Sequence, residues 1–387
     1  MINFEPITVA PQIPEDLQKI LATRDELMER RKTPVTFSDP IIYYEDTPII
    51  YPQTINLIQG KSGVHKSRLA ETFCSVVLKT RNCNNSLLSF RANDQIEYAV
   101  CYVDTERNHK DQLPYAIQQI MQRAGHRIDA DIPNFDAISL LNLDRKSRFQ
   151  ALKRYLDHVR TTYQAHILIV LDIITDCLVN FNDSAESMEL IDLMNKTINE
   201  CNVTFICLIH ENPGVGSEKA RGHLGTELMN KATTHIQVSF EKDKDQESSE
   251  IVRIKFMKLR VTRRPEPIFA IYSDQEKGLV KADPEAVAAL KDTQRQVTIE
   301  DVTNKLTILL TGPMYKADLF AHIIGDLNCG TRTLEARLRE IIQQRQIIRN
   351  MEGANCHLTK QTLHRQLVYS LTPINTSPTL DLTEPSD

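Results

Sequence analysis

The chain has 387 residues, 41% of them hydrophobic and 25% charged, with a net charge of −5 at pH 7. This fits a globular protein of two or three domains at about 150 residues each. It excludes a molecule that binds nucleic acid through its overall charge, so any basic surface must be local.

Eight cysteines, Cys74, Cys83, Cys101, Cys177, Cys201, Cys207, Cys329 and Cys356, form no C-x-x-C pair. Several sit in apolar runs, so buried free thiols in a reducing compartment are expected rather than disulfides or zinc. The start, MINFEPITVAPQIPEDL, is acidic and broken by prolines, which predicts no signal peptide. No apolar run approaches the roughly 20 residues that span a bilayer, so a cytoplasmic protein with no membrane partner is expected.

Residues 1–44 are expected to form an N-terminal arm. After an irregular start, residues 14–32 carry apolar side chains at 17, 20, 21 and 27, a helical spacing. Such a helix would pack on a neighbouring subunit or on its own domain.

From 45 to 280 short apolar runs alternate with longer amphipathic stretches. TINLIQG, AVCYVDTE, FDAISLL, HILIVLDII and VTFICLIH read as strands. SRLAETFCSVVLKT, DQLPYAIQQIMQRAG, SRFQALKRYLDHVRTTY and SAESMELIDLMNKTINECN read as the helices between them. Alternation of this kind predicts an α/β fold with a mostly parallel sheet and helices on both faces. HILIVLDII and VTFICLIH are almost wholly apolar, as strands buried on both sides are. THIQVSF and IVRIKFMKLR, around the charged EKDKDQESSE, predict a terminal β-hairpin at the sheet's edge.

Residues 281–297 read as a polar linker and 372–387 as a disordered tail. Between them, residues 298–371 show three helical stretches, IEDVTNKLTILLT, KADLFAHIIGD and TRTLEARLREIIQQR, followed by a strand and turn. This order resembles a winged helix, whose third helix would enter a DNA groove with Arg332 and Arg337. Leu334, Leu338, Ile341 and Ile342 would face its own core. The other readings are a winged helix used for protein contact and a helix with an ordinary mixed-charge face.

The stretch LIQGKSGVHKSRL nearly matches the phosphate-loop pattern G-x-x-x-x-G-K-[ST] between a strand and a helix. Gly60, Ser62, Gly63, Val64, His65, Lys66, Ser67 and Arg68 are the candidate nucleotide-binding residues. Backbone N–H groups would cradle the phosphates of ATP, Lys66 would reach the β- and γ-phosphates, and Ser67 would bind Mg²⁺. Only the sixth position departs from the pattern, with His65 in the place of glycine. Asp172 ends a hydrophobic strand and is the second candidate ligand for Mg²⁺. Glu106, just past the end of another strand, is the candidate general base, and Asp104 is the lesser choice because its side chain points into the strand. His210 ends VTFICLIH and would sense the γ-phosphate, against the reading of an ordinary cap or loop histidine.

Loop, YVDTE, LIVLD, LIH, a glycine-containing loop and a hairpin, in that order, resemble the RecA-like P-loop ATPases over about residues 50–275. The nearest resemblance is to RepA- and DnaB-type hexameric helicases and to the AAA-type ATPases of bacterial mobile elements. The resemblance implies that Glu106 activates water and that His210 is the sensor. It implies that ENPGVGSEKARGHLGTELMNKA faces a central channel, where Lys219, Arg221 and His223 would meet DNA. It further implies that Lys258 and Arg260, alternating on one face of a strand, reach the γ-phosphate of a neighbouring subunit. Arg263 and Arg264 are alternatives for that task. A homo-oligomer, a hexameric ring, would then be needed for hydrolysis.

The expected function is a Mg²⁺- and ATP-dependent DNA helicase or translocase of a mobile element or replicon, with a possible protein partner in replication or transposition. The alternative is a regulatory or adaptor ATPase that oligomerises with ATP, hydrolyses slowly and recruits another protein. A metabolic P-loop kinase is a third reading.

Overall fold

A computed structural model describes residues 13–214, 218–242, 248–294, 297–327 and 329–374. It divides into two compact units, 1–288 and 289–387.

The first unit opens with α1 (Glu15–Arg30), β1 (Ile42–Tyr44), β2 (Thr47–Ile50), β3 (Ile55–Gly60) and α2 (Lys66–Val77). Next come β4 (Phe90–Ala92), β5 (Tyr98–Asp104), α3 (Gln112–Arg123), β6 (Phe135–Ser139), α4 (Arg145–Thr162) and β7 (His166–Asp172). It continues with α5 (Ser184–Glu200), β8 (Val203–His210), α6 (Gly222–Lys231), β9 (Thr234–Lys242), β10 (Ser248–Leu259), β11 (Ile268–Ser273) and β12 (Gly278–Lys281).

Nine of these strands form one sheet in the order β12-β11-β10-β9-β3-β8-β7-β5-β6. From β9 to β6 the neighbours are parallel, and from β9 to β12 they are antiparallel. The parallel part is buried on both faces because alternate side chains serve two separate cores. In β7, Leu168 and Val170 enter the core beneath α2 and α3, while Ile167, Ile169 and Leu171 enter the core beneath α4, α5 and α6. Crossover helices between parallel strands bring every β3, β5, β7 and β8 C-terminus to one edge, where ligands of such sheets bind.

Several boundaries differ from the sequence reading. The antiparallel end does not stop at the expected hairpin, since β11 and β12 continue it. Ile41 and Ile42 are wholly buried in the main core, so the core begins before residue 45. β1, β2 and β4 form a small three-stranded sheet that closes this core. α1 buries none of its side chains, which contradicts packing on its own domain. Residues 1–12, Gly216 and the middle of the charged hairpin loop, 243–247, lie outside the described residues.

The division falls inside the stretch expected to link the units. Residues 284–294 form helix α7 (Pro284–Gln294), across the division between the units. The second unit then holds α8 (Ile299–Leu309), β13 (Met314–Tyr315), α9 (Lys316–Leu327) and α10 (Thr331–Gln343). It ends with β14 (Ile347–Arg349), β15 (Asn355–Leu363) and β16 (Gln366–Pro373), in the antiparallel order β13-β16-β15-β14. Its core packs Val302 and Leu306 of α8, Leu319 and Ile323 of α9, and Leu334, Leu338 and Ile341 of α10 against Leu358 and Tyr369. A Thr298–Asp301 capping box starts α8. β16 runs two residues into the stretch expected to be disordered, and residues 375–387 lie outside the described ones.

Candidate functional site

Strand β3 ends at Gly60, and the chain turns through Lys61–His65 into α2. A Cβ on Gly60 would stand 2.2 Å from the Val238 carbonyl oxygen and 2.8 Å from Val64 Cγ2, so only glycine fits beneath the turn. Gly63 has φ +78°, a left-handed backbone that glycine adopts without strain. His65 is also left-handed, at φ 68° and ψ 25°. The histidine therefore keeps a conformation in which glycine would be unstrained, although it carries a Cβ. Its ring stacks on Tyr272 of β11 and meets the edge of Phe240 of β9. Burial, with Arg68 adding to it, lowers the pKa of His65, so the ring is neutral near pH 7.

The loop folds around its lysine. Lys66 is buried, and its Nζ donates to the Lys61 carbonyl oxygen at 2.7 Å and stands 3.2 Å from His210 Nδ1. Burial lowers the Lys66 pKa, while Asp172, Glu106 and Glu211 pull it back up. Ser67 Oγ donates to Asp172 Oδ1 at 3.2 Å. This hydroxyl and carboxylate lie side by side at the start of α2. They are the hard oxygen donors that suit Mg²⁺, which takes one or two protein ligands alongside substrate phosphates. Among the described residues no group of three or more His, Cys, Asp and Glu could hold a metal ion.

Glu106 follows β5 and is half exposed, with Oε1 3.5 Å from His210 Nε2. The hydrogen bond to His210 holds the Glu106 carboxyl below the usual carboxylate range. Lys66, Ser67, Asp172, Glu106 and His210 thus come from four strand ends into one mouth. Asp104 is turned inward, as its strand position implies. Its Oδ1 accepts the backbone N–H groups of Glu106 at 3.0 Å and Arg107 at 2.7 Å, which shapes the turn that presents Glu106. Burial pushes the Asp104 carboxyl up to about 6.

Arg68 leaves the loop on the opposite side. It pairs with Glu71 at 2.9 Å and its guanidinium lies over the rings of Tyr115 and Tyr272. Ser62 is exposed and Val64 is buried under the turn.

The loop after β8 lies against the phosphate loop. Lys61 Nζ donates to the Gly214 carbonyl oxygen at 3.0 Å, and a cleft of about 360 Å³ opens between Ser62, His210, Asn212 and Arg221. The base of this loop is anchored by Glu211, whose buried Oε1 accepts from Gln59 at 3.0 Å and from Gln237 at 2.7 Å. Lys219 is exposed, Arg221 covers the Phe181 ring, and His223 is half-buried in the first turn of α6 with Nδ1 shielded.

The remaining candidates lie elsewhere. Lys258 Nζ donates to the carbonyl oxygens of Met229 and Asn230 at 2.9 and 3.0 Å, and Arg260 Nη2 donates to Asn230 at 2.6 Å. Both side chains sit on the C-terminus of α6, where cations meet unpaired carbonyls and the negative end of the helix. Register places them at the other edge of the sheet. Lys258 lies opposite His235, which lies opposite Leu57, and Arg260 N–H bonds Thr233 beyond the start of β3. They cannot complete the site of their own chain. Arg264 donates to the Met257 carbonyl oxygen, and Arg263 is exposed. In the second unit Arg332 is exposed. Arg337 donates to the Val297 carbonyl oxygen at 2.9 Å and pairs with Glu340 at 2.9 Å within its own unit.

Two features were not anticipated. Arg107 makes a dense ion-pair cluster beside Asp172, and Glu71 is wholly buried within it. The one available signal was an acid four residues after Ser67 on the inward face of α2, since a buried acid needs a cation.

A phosphate loop on a central parallel strand, an acid on a strand one place removed, and a second acid on the strand beyond make an α/β fold with the arrangement that the resemblance to RecA-like P-loop ATPases implies. Among solved structures the chain is similar to the RadB recombinase, with 14% identity over 60% of this chain and 92% of that one and a TM-score of 0.42. It is similar to the flagellar accessory protein FlaH from Methanocaldococcus jannaschii at 15% identity over 60% and 90%, TM-score 0.39. The ATPase domain of G40P matches at 14% identity over 70% and 100%, TM-score 0.42. Likenesses this low add nothing to the fold assignment, which rests on strand order and loop geometry. No protein-family model matches the chain, and no curated protein does.

Proposed function

We propose that the chain is a Mg²⁺-dependent ATPase that works between subunits of a homo-oligomer and acts as a motor on DNA. The observation that supports this reading is that two groups of side chains lie towards opposite ends of the strands of one sheet. Lys66, Ser67, Asp172, Glu106 and His210 would form one half of a shared site, and Lys258 with Arg260 would form the other.

In the first half, the loop N–H groups and Lys66 bind the phosphates of ATP, and Lys66 exchanges its contact with the Lys61 carbonyl for a phosphate oxygen. Ser67 and Asp172 would hold Mg²⁺, which supplies charge to offset that developing on the phosphates. Glu106 is ionised at neutral pH and half exposed, so it can take the proton from an attacking water. His210 bridges Glu106 and Lys66, so a change at the phosphates reaches strand β8 and the loop that follows it. Lys61 ties that loop to the phosphate loop, Glu211 ties it to strands β3 and β9, and Lys219 and Arg221 on it are the candidate DNA contacts. In the second half, Lys258 and Arg260 would serve the site of the next subunit, which makes a ring the natural assembly. The exposed helix α1 is free to pack on that neighbour. A winged-helix role for the second unit, with Arg332 toward DNA, belongs to the same proposal, as does service to a mobile element or replicon.

An adaptor ATPase with slow turnover is favoured by one observation, the left-handed non-glycine residue at position 65. Strand displacement on a forked DNA separates the two readings. A motor unwinds it with ATP in the wild type and not in Lys66→Ala. An adaptor oligomerises with ATP and displaces nothing.

A further inference from the structure

Arg107 follows the candidate base but has no part in the chemistry above. Its side chain is 18% exposed and meets four groups. Nη2 donates to Glu71 Oε1 at 2.8 Å and stands 3.4 Å from Asp172 Oδ2. Nη1 donates to Asp104 Oδ2 at 3.2 Å and to the Tyr102 hydroxyl at 3.1 Å. That hydroxyl donates in turn to Asp172 Oδ2 at 2.6 Å.

The consequence for Asp172 is directional. Its Oδ2 is taken by Tyr102 and Arg107, so Oδ1 is the oxygen left facing Ser67. The consequence for Glu106 is similar. Asp104 receives the guanidinium on Oδ2 and the Glu106 and Arg107 N–H groups on Oδ1. One planar cation therefore ties the acid beside Ser67 to the turn that carries the base. Charge neutralisation alone does not require this arrangement. Three buried carboxylates need positive charge nearby, but only a fixed fork of donors holds each of them in a set orientation.

We propose that Arg107 is a positioning residue for ATP hydrolysis, which holds Asp172 with Oδ1 toward Ser67 and holds the Glu106 turn in the same frame. This rests on the reading of the site as a Mg²⁺-ATP site. Lysine keeps the charge but is a single point donor, so Arg107→Lys frees Asp172 to rotate. Groups that orient a metal ligand typically change metal affinity or activity by about 10–100-fold. Arg107→Lys is expected to lower divalent affinity and kcat by that amount, with the KM for ATP within about 3-fold. Tyr102→Phe removes only the hydroxyl on Oδ2 and is expected to act in the same direction by less.

The test uses the full chain. Binding of a fluorescent ATP analogue is measured in EDTA, and Mn²⁺ is then titrated into the complex with bound ion read by electron paramagnetic resonance. The expected result is equal nucleotide binding without metal and weaker Mn²⁺ binding in both variants. A wild type that binds no nucleotide overturns the reading of the site itself. Wild-type Mn²⁺ affinity in folded Arg107→Lys overturns the positioning role alone. Should Arg107→Lys fail to fold, Tyr102→Phe decides, and wild-type Mn²⁺ affinity there overturns the proposal.

Discussion

The ring of His65 lies parallel to that of Tyr272, with centroids 5.8 Å apart and planes 5° apart. Phe240 packs nearly perpendicular to the same ring, with centroids 5.6 Å apart. The contact joins the phosphate loop to strands β9 and β11 at the position where the loop pattern has glycine. A left-handed non-glycine residue costs about 1–2 kcal/mol, and aromatic packing of this kind returns about 0.5–1.5 kcal/mol. His65→Gly should therefore leave stability within about 1 kcal/mol of the wild type and keep ATP binding. His65→Val should cost about 2 kcal/mol or more, because a β-branched residue resists positive φ and cannot stack. Urea unfolding with and without ATP measures both. A His65→Gly chain that lost nucleotide would make the imidazole part of the binding site.

Glu106→Gln should reduce hydrolysis by about 10²–10⁴-fold, the usual contribution of a positioned base, while ATP still binds. Its pKa sign follows from His210. A depressed carboxyl stays ionised to lower pH, so Glu106 imposes no loss of rate between pH 8 and 6. Single-turnover rates across that range report it, and Glu106→Gln with wild-type turnover would move the base elsewhere.

Lys258→Ala and Arg260→Ala separate a role in the neighbour from a role on α6. Groups that reach a transferring phosphoryl from another subunit contribute about 10³–10⁵-fold. Each variant should lose hydrolysis on that scale while binding ATP. Mixing Lys258→Ala with Lys66→Ala subunits should restore part of the rate, since one keeps the loop and the other keeps the finger. If the pair only caps α6, the variants will melt earlier, hydrolyse normally when folded and show no complementation.

Acid should weaken the first unit through His235. Burial, with Lys258 adding to it, pushes this imidazole down to about 4. Its Nε2 is buried and meets no partner among the described residues. The unfolded chain takes up a proton near 6.5 and the folded chain does not, so stability is lost as pH falls from 6.5 towards 4. At pH 5 the loss from this residue is about 2 kcal/mol. Asp104 acts with the opposite sign, its raised pKa costing stability as pH rises towards 6. The comparison is therefore between variants. His235→Leu should flatten the fall in urea midpoint between pH 7 and 5, and an unchanged slope would refute the assignment.

The nucleotide loop, the strand ending in Asp172 and the strand ending in His210 were legible because each is local. An apolar run sets the strand, and the polar residue at its end marks the sheet edge. Strand β11 was missed although IFAIYS is apolar, because the hairpin before it looked like the end of the sheet. The linker became helix α7 because PEAVAALKDTQ carries good helix formers after a proline start. Arg107 was illegible for a different reason. Its value lies in Glu71 and Asp172, which only tertiary packing brings to it. The bond from Arg337 to the Val297 carbonyl is illegible because a backbone partner leaves no mark in a charge pattern.

Steady-state ATP hydrolysis by the full chain, with and without single-stranded DNA, decides whether the site works as an ATPase on DNA. Mg²⁺-dependent turnover is expected that DNA raises, that Lys66→Ala abolishes and that Glu106→Gln lowers by about 10²–10⁴-fold. A Lys66→Ala chain that hydrolyses ATP at the wild-type rate would contradict it.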